Sequence, residues 1–234
     1  MTAVFKRELR AYFLSPIGYV FLGFFLLLSG YFFAASNLLS GYAYINGVFG
    51  NLTIVLMIVV PILTMRLLSE ERKTKTDQLL LTSPVSLTGV VVGKYLAALS
   101  VLIIALLITC IYPIILFVFS KPAIGEILGT YIGFFLMGAA FISVGLFVSS
   151  LTESQVTSAV ASFGTLLLLY VADWIVPSIQ NQTIAKAIEW FSVLNRFQDF
   201  TMGILSLEHI VYYISFIAVF VFLTIRVLEK RRWS

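Results

Sequence analysis

The chain has one histidine, His209, and one cysteine, Cys110. A single cysteine excludes an internal disulfide, and the pair is too sparse for a zinc site of the Cys/His type. Charge is scarce as well. Only 11% of the 234 residues are charged, whereas soluble domains carry about 25%. Hydrophobic residues make up 60%, more than a soluble core of this size can hide, so the composition describes an integral membrane protein. No strand alternation, tandem repeat or low-complexity tract occurs.

Sites for chemistry are missing too. There is no H-E-x-x-H, and no second histidine to build one. Gly89, Gly93 and Lys94 resemble a phosphate-binding loop. The spacing is one residue short, and Tyr95 stands where a serine or threonine is required. Asp173 is the one acid well inside an apolar run, so no intramembrane carboxylate pair exists. It stands beside Trp174 and ahead of Pro177, near the end of its run. The plainer reading is an interfacial acid bonded to a neighbour. The functional reading puts it at the outer mouth of a translocation path. His209, next to Glu208, reads as interfacial, and Cys110 as a small apolar residue.

What is present is six long apolar runs, at about 17–35, 47–68, 89–119, 127–150, 156–176 and 209–228. A span needs about 20 apolar residues, and all six suffice. The third is longer than needed and is expected to tilt or project, with Pro113 as a kink or end. The first is too long for a secretory signal and precedes five more, so it reads as a retained span. The expected fold class is an all-α integral membrane protein, with residues 1–234 as one transmembrane domain.

Charge placement orients the spans. Lys6, Arg7, Arg10, Arg66, Arg72, Lys73, Lys75, Lys94, Arg226, Lys230, Arg231 and Arg232 fall on one side, and Lys121, Lys186 and Arg196 on the other. By the positive-inside rule both termini are cytoplasmic. The net charge of +4 therefore reflects membrane orientation, and nucleic acid is not an expected partner.

Three segments outside the spans carry pattern. Residues 1–15 form an amphipathic helix, with Phe5, Leu9, Tyr12 and Phe13 on one face and Lys6, Arg7 and Arg10 on the other. It should lie at the interface against lipid headgroups until Pro16 turns the chain inward. On the outer side, residues 177–207 are apolar at helical spacing through Ile184, Ala187, Ile188, Phe191 and Leu194. This predicts short interfacial helices before the last span. Around the cytoplasmic segment 69–88 that joins spans two and three, residues 66–94 hold five basic residues and three acids. Thr74 and Asp77 have capping-box spacing, Leu79, Leu80 and Leu81 form an apolar step, and Pro84 stops the helix. A short charged helix on the cytoplasmic side is a handle for a soluble partner, or else a solvated connection.

The same stretch carries a family resemblance. The string SEERKTKTDQLLLTSPVS from Ser69, followed by Gly93, Lys94 and Tyr95, resembles the permeases of ATP-binding-cassette type-2 exporters. Within them it is most similar to the gliding-motility-type group, which in turn resembles the permease of nitrous-oxide-reductase maturation. FKREL from Phe5, SPIGY from Ser15, FVSSLTESQ from Phe147 and the tail through Phe197, Phe200, Gly203 and Ile210 extend the likeness over nearly the whole chain. Lys75, Thr76 and Asp77 depart from the group's usual Gly-Thr-Leu-Glu. The resemblance implies six spans, an N-terminal elbow helix (Phe5, Lys6, Arg7, Leu9, Arg10), a coupling helix and short outer helices. It also implies a second permease subunit, homo- or heterodimeric, and two copies of a separate cytoplasmic ATPase that bind ATP and magnesium. This chain would then be no enzyme and hold no cofactor. An accessory extracytoplasmic membrane subunit and membrane lipids complete the expected partners, in a bacterial plasma membrane. Glu70, Glu71, Arg72, Lys73, Lys75, Asp77, Leu79, Leu80, Leu81 and Pro84 are the expected ATPase-coupling residues, the leucines as anchor and the charges setting register. The rivals are an ion-coupled secondary transporter and a membrane scaffold. The first would need internal repeats and paired coupling residues, and only Asp173 is on offer.

Overall fold

The computed structural model describes residues 1–74, 86–176 and 192–232, and every regular element among them is helical. Helix α1 (Thr2–Leu14) precedes α2 (Pro16–Phe33), which runs on as a π-helical turn over Ala34–Leu38. Then come α3 (Asn46–Thr64), α4 (Arg66–Lys73), α5 (Leu87–Thr109), α6 (Ile111–Phe119), α7 (Ile124–Leu151), α8 (Gln155–Ile175), α9 (Leu194–Thr201) and α10 (Leu207–Arg232). Six stretches are long and apolar enough to cross a membrane: Pro16–Leu38, Asn46–Lys73, Leu87–Phe119, Ile124–Leu151, Gln155–Ile175 and Leu207–Arg231.

α1 obeys its two-faced pattern. Tyr12 is buried, Phe5, Leu9 and Phe13 pack half-buried against the core, and Lys6 and Arg10 stay exposed. Ser15 is extended and Pro16 occupies the first turn of α2, where its missing N–H costs nothing. The corner is tight: a Cβ on Gly18 would sit 2.6 Å from the Tyr12 carbonyl oxygen.

Prolines shape two of the spans. Pro61 lies inside α3, and the helix breaks at Met65 before α4 continues it. The long third stretch breaks at Cys110, between α5 and α6. Pro113, in the first turn of α6, has no N–H for the Thr109 carbonyl one turn back. The Tyr131 hydroxyl of α7 donates to that carbonyl instead, at 2.7 Å.

α7 is the axis of the bundle. Its apolar window is 83% buried, against 22% for α8 and 11% for α10, which leaves α8 and α10 with broad apolar outer faces. Glycines let neighbours approach α7 closely: Gly145 accommodates Thr64, and Gly129 and Gly133 accommodate Phe200. α9 packs closely on α7 at these glycines. Phe197 and Phe200 turn inward against the bundle, while Met202, Ile204 and Leu205 remain exposed. Gly203, at φ 78°, then reverses the chain into α10. The expected helix through Ile184, Ala187, Ile188 and Phe191 lies outside the described residues.

Candidate functional site

Both termini lie at one end of the six-span bundle, and so does α4. At this basic end four charged side chains from three helices form a closed ring. Lys94, seven residues into α5, is 1% exposed. Its Nζ lies 2.9 Å from Glu71 of α4 and 3.1 Å from Glu8 of α1. Arg7 of α1 donates to the same two carboxylates, at 2.8 Å each. An ammonium this deeply buried survives only when paired, and here two acids and two bases balance. Burial pushes the Glu8 carboxyl upward, but Lys94 and Arg7 outweigh it and hold Glu8 below its ordinary value.

The start of α4 is held by a second set of bonds. The break after α3 brings the amides of Leu68 and Ser69 to the hydroxyl of Ser149 on α7, at 3.1 and 3.2 Å. That hydroxyl donates onward to the Met65 carbonyl at 3.1 Å. Arg66 donates to the Ser15 hydroxyl at 2.8 Å, and Tyr12 donates to the Leu63 carbonyl at 2.9 Å. The far end of α4 is tied as well. Arg72 donates to the Leu151 carbonyl at 2.9 Å and pairs with Glu153 at 2.8 Å. Arg231 of α10 donates to the Ser150 carbonyl. Two cations thus satisfy the last carbonyls of α7, where a helix dipole favours positive charge.

The expected coupling residues divide accordingly. Glu71 and Arg72 are turned inward and engaged within the chain. Among the described residues Glu70 pairs with Arg66, at 3.4 Å and half-exposed, and Lys73 is exposed. Lys75, Asp77, Leu79, Leu80, Leu81 and Pro84 lie outside the described residues. Within the elbow set, Arg7 belongs to the ring, whereas Lys6 and Arg10 face outward. Lys94 escaped the sequence reading as a site residue, although an ionisable group inside an apolar run is itself a signal. Ser149 and Tyr12 gave no such signal.

At the opposite end stands Asp173, 8% exposed. Its Oδ2 accepts from the Leu194 amide at 3.2 Å, at the N-terminus of α9, where a carboxylate satisfies an orphan donor. Its Oδ1 is buried and without a hydrogen-bond partner among the described residues. Arg196 donates to the Ser192 carbonyl at 2.8 Å, its guanidinium 3.5 Å from the Tyr212 ring centre. His209 meets Asp199 at 2.7 Å, joining α10 to α9. A cavity of about 380 Å³ opens between α3, α8 and α9, with Asp173 on its wall.

Six apolar helical stretches long enough to cross a bilayer define a multi-pass membrane protein. The family model for the ABC-2 family transporter protein matches residues 4–233. The chain belongs to that family, as the membrane-spanning permease subunit of an ATP-binding-cassette transporter. Permeases of this family work with a separate ATPase and a second membrane subunit. The comparison with curated proteins returns no match.

Proposed function

We propose that this chain couples ATP hydrolysis by a cytoplasmic partner to outward movement of cargo. On this reading the basic end is cytoplasmic, in a bacterial plasma membrane. Residues 1–234 act as one transmembrane domain and pair with a second permease chain. Two ATPase copies hold ATP and magnesium and dock on the coupling segment, where Leu79, Leu80 and Leu81 anchor it and Lys75 and Asp77 set register. The observation that carries the reading is the way α4 is tied. A displacement of the segment that follows α4 reaches α1 and α5 through the charge ring, and α7 through Ser149 and Arg72. Rigid spans would then rock together as the ATPases close. In motif the chain resembles the gliding-motility-type permease group, and an accessory extracytoplasmic subunit belongs to the same reading.

Pull-down in mild detergent followed by an ATPase assay tests this. An ATPase subunit should come down with the chain, and Leu79→Glu with Leu80→Glu should abolish its capture or uncouple its hydrolysis. Capture and activity both unchanged in that variant would sink the proposed anchor. A chain that comes down alone would favour the ion-coupled alternative, with Asp173 as its first candidate.

A further inference from the structure

Helix α1 ends where the first span begins. Ser15 is extended, Pro16 opens α2, and Gly18 closes the corner against Tyr12. The fold therefore sets α1 at the end of a span, at the level where headgroups meet acyl chains. Two of its cations are uncommitted. Lys6 and Arg10 lie one turn apart, both exposed, and neither side chain forms an ion pair or hydrogen bond among the described residues. Glu8 is the one acid in α1, and Arg7 and Lys94 engage it. Lys6, Arg7 and Arg10 line an open groove of about 770 Å³ along α1, which Phe13 and Leu14 continue toward the corner. There the surface turns apolar. Leu14 is 80% exposed, and Tyr19, 60% exposed, meets the Phe13 ring edge-on at 5.9 Å. Val20 and Leu27 extend the exposed apolar face along α2.

We propose that α1 and the start of α2 bind an acidic phospholipid, its phosphate between Lys6 and Arg10 and its acyl chains along Leu14, Tyr19 and Val20. Charge selects the headgroup. Phosphatidylglycerol sets a phosphate between two cations and brings no ammonium. A zwitterionic headgroup sets an ammonium beside the same cations, which repel it. The order of side chains selects an amphiphile. Cations give way to Phe13 and Leu14 within a turn of α1, and then to the outer face of α2. A ligand with a phosphate and long apolar chains meets both parts, whereas an acidic peptide would leave Leu14 and Tyr19 uncovered. Each basic residue near an anionic surface adds to the preference, and two make it about tenfold or more. The same helix supplies Arg7 and Glu8 to the charge ring, so a lipid held here steadies one side of that ring. Lipid binding rests on the membrane fold and needs no ATPase, so it fails separately from the proposed function.

The test uses the full chain in bilayers, with Tyr19→Trp as reporter and Trp174→Phe, Trp190→Phe and Trp233→Phe to silence the native tryptophans. Lipids brominated in their acyl chains quench the reporter on contact. Brominated phosphatidylglycerol is compared with brominated phosphatidylcholine over the same mole fractions. The acidic lipid should quench at a mole fraction about tenfold lower. Lys6→Gln with Arg10→Gln should bring the two lipids together. Lys230→Gln, which removes an exposed charge from α10 at the same end, should leave the preference in place. Equal quenching by both lipids before any charge is removed overturns the proposal. So does a preference that survives in the double variant, or one that falls equally in Lys230→Gln and so reports the charge of the whole end. Should the double variant fail to fold, salt decides on the unsubstituted cations. At about 1 M the Debye length is about 3 Å, and the preference should collapse. A preference indifferent to salt overturns the site.

Discussion

At the basic end, Lys94 is almost wholly buried and meets two carboxylates, which a second cation also shares. At the distal end, Asp173 is nearly as buried, yet one of its oxygens meets nothing among the described residues. Both are ionisable groups inside apolar stretches. The first has been closed into a neutral ring that ties three helices. The second seats α9 through the Leu194 amide, on the wall of a cavity. A saturated ring suits a joint that must carry displacement.

The sharpest way to break this contrast is Lys94→Met. Removing one partner leaves Glu8 and Glu71 with less compensation in a buried setting, at a cost of about 3–5 kcal/mol. Thermal unfolding in detergent should show it as a large drop. The triple variant with Glu8→Gln and Glu71→Gln should recover most of the loss, because neutral glutamines leave no buried carboxylate uncompensated and the remaining Arg7 is half-exposed to solvent. Without that recovery, Lys94 matters through packing and not through charge.

Gly129→Ala probes the distal end at its backbone. The new methyl group would collide with the Phe200 carbonyl, so α9 must shift, at about 1–3 kcal/mol. Tryptophan emission from Trp174 should change with it, because α8 and α9 share the cavity wall. An unaltered spectrum and melting temperature would mean that α9 is not seated on α7 as described.

Acid titration probes the charge ring at the basic end. The folded value of Glu8 lies below its unfolded value, near the ordinary 4.5. Its contribution is therefore complete above that pH and is lost as pH falls through the lowered folded value. Stability followed from pH 6 downward should fall late, and Glu8→Gln should flatten that limb. A fall of equal steepness in the variant would assign the acid sensitivity elsewhere.

The smallest effect is expected from Asp173→Asn. Asparagine keeps an oxygen for the Leu194 amide, so stability should change by less than about 1 kcal/mol. A loss as large as that of Lys94→Met would make Asp173 a structural acid like its counterpart, and the contrast between the ends would disappear.

Much of this molecule could be read along the chain. The six spans came from run length, and the elbow from the alternation of Phe5, Leu9 and Tyr12 with Lys6, Arg7 and Arg10. Asp173 stood out because a lone acid in an apolar run is conspicuous. Lys94 was just as conspicuous, but its place near the start of a run made it look like one more charge at a span boundary. The packing of α9 on α7 was harder to see. Phe197 and Phe200 continue the apolar stretch, and apolar pattern gives a face without saying what covers it.

Sequence alone determined how many times the chain crosses, which end carries the positive charge, and where apolar faces lie. Those properties depend on local composition weighed against the thickness and polarity of a bilayer. Tertiary structure decided which charges cancel. Arg7, Glu8, Glu71 and Lys94 are spread over 88 positions and come together only because α1 folds back onto α5 beside α4. It also decided that one oxygen of Asp173 stays unmatched. Electrostatic pairing acts through space over a few ångströms, and no spacing along a chain reports a distance set by the packing of three helices.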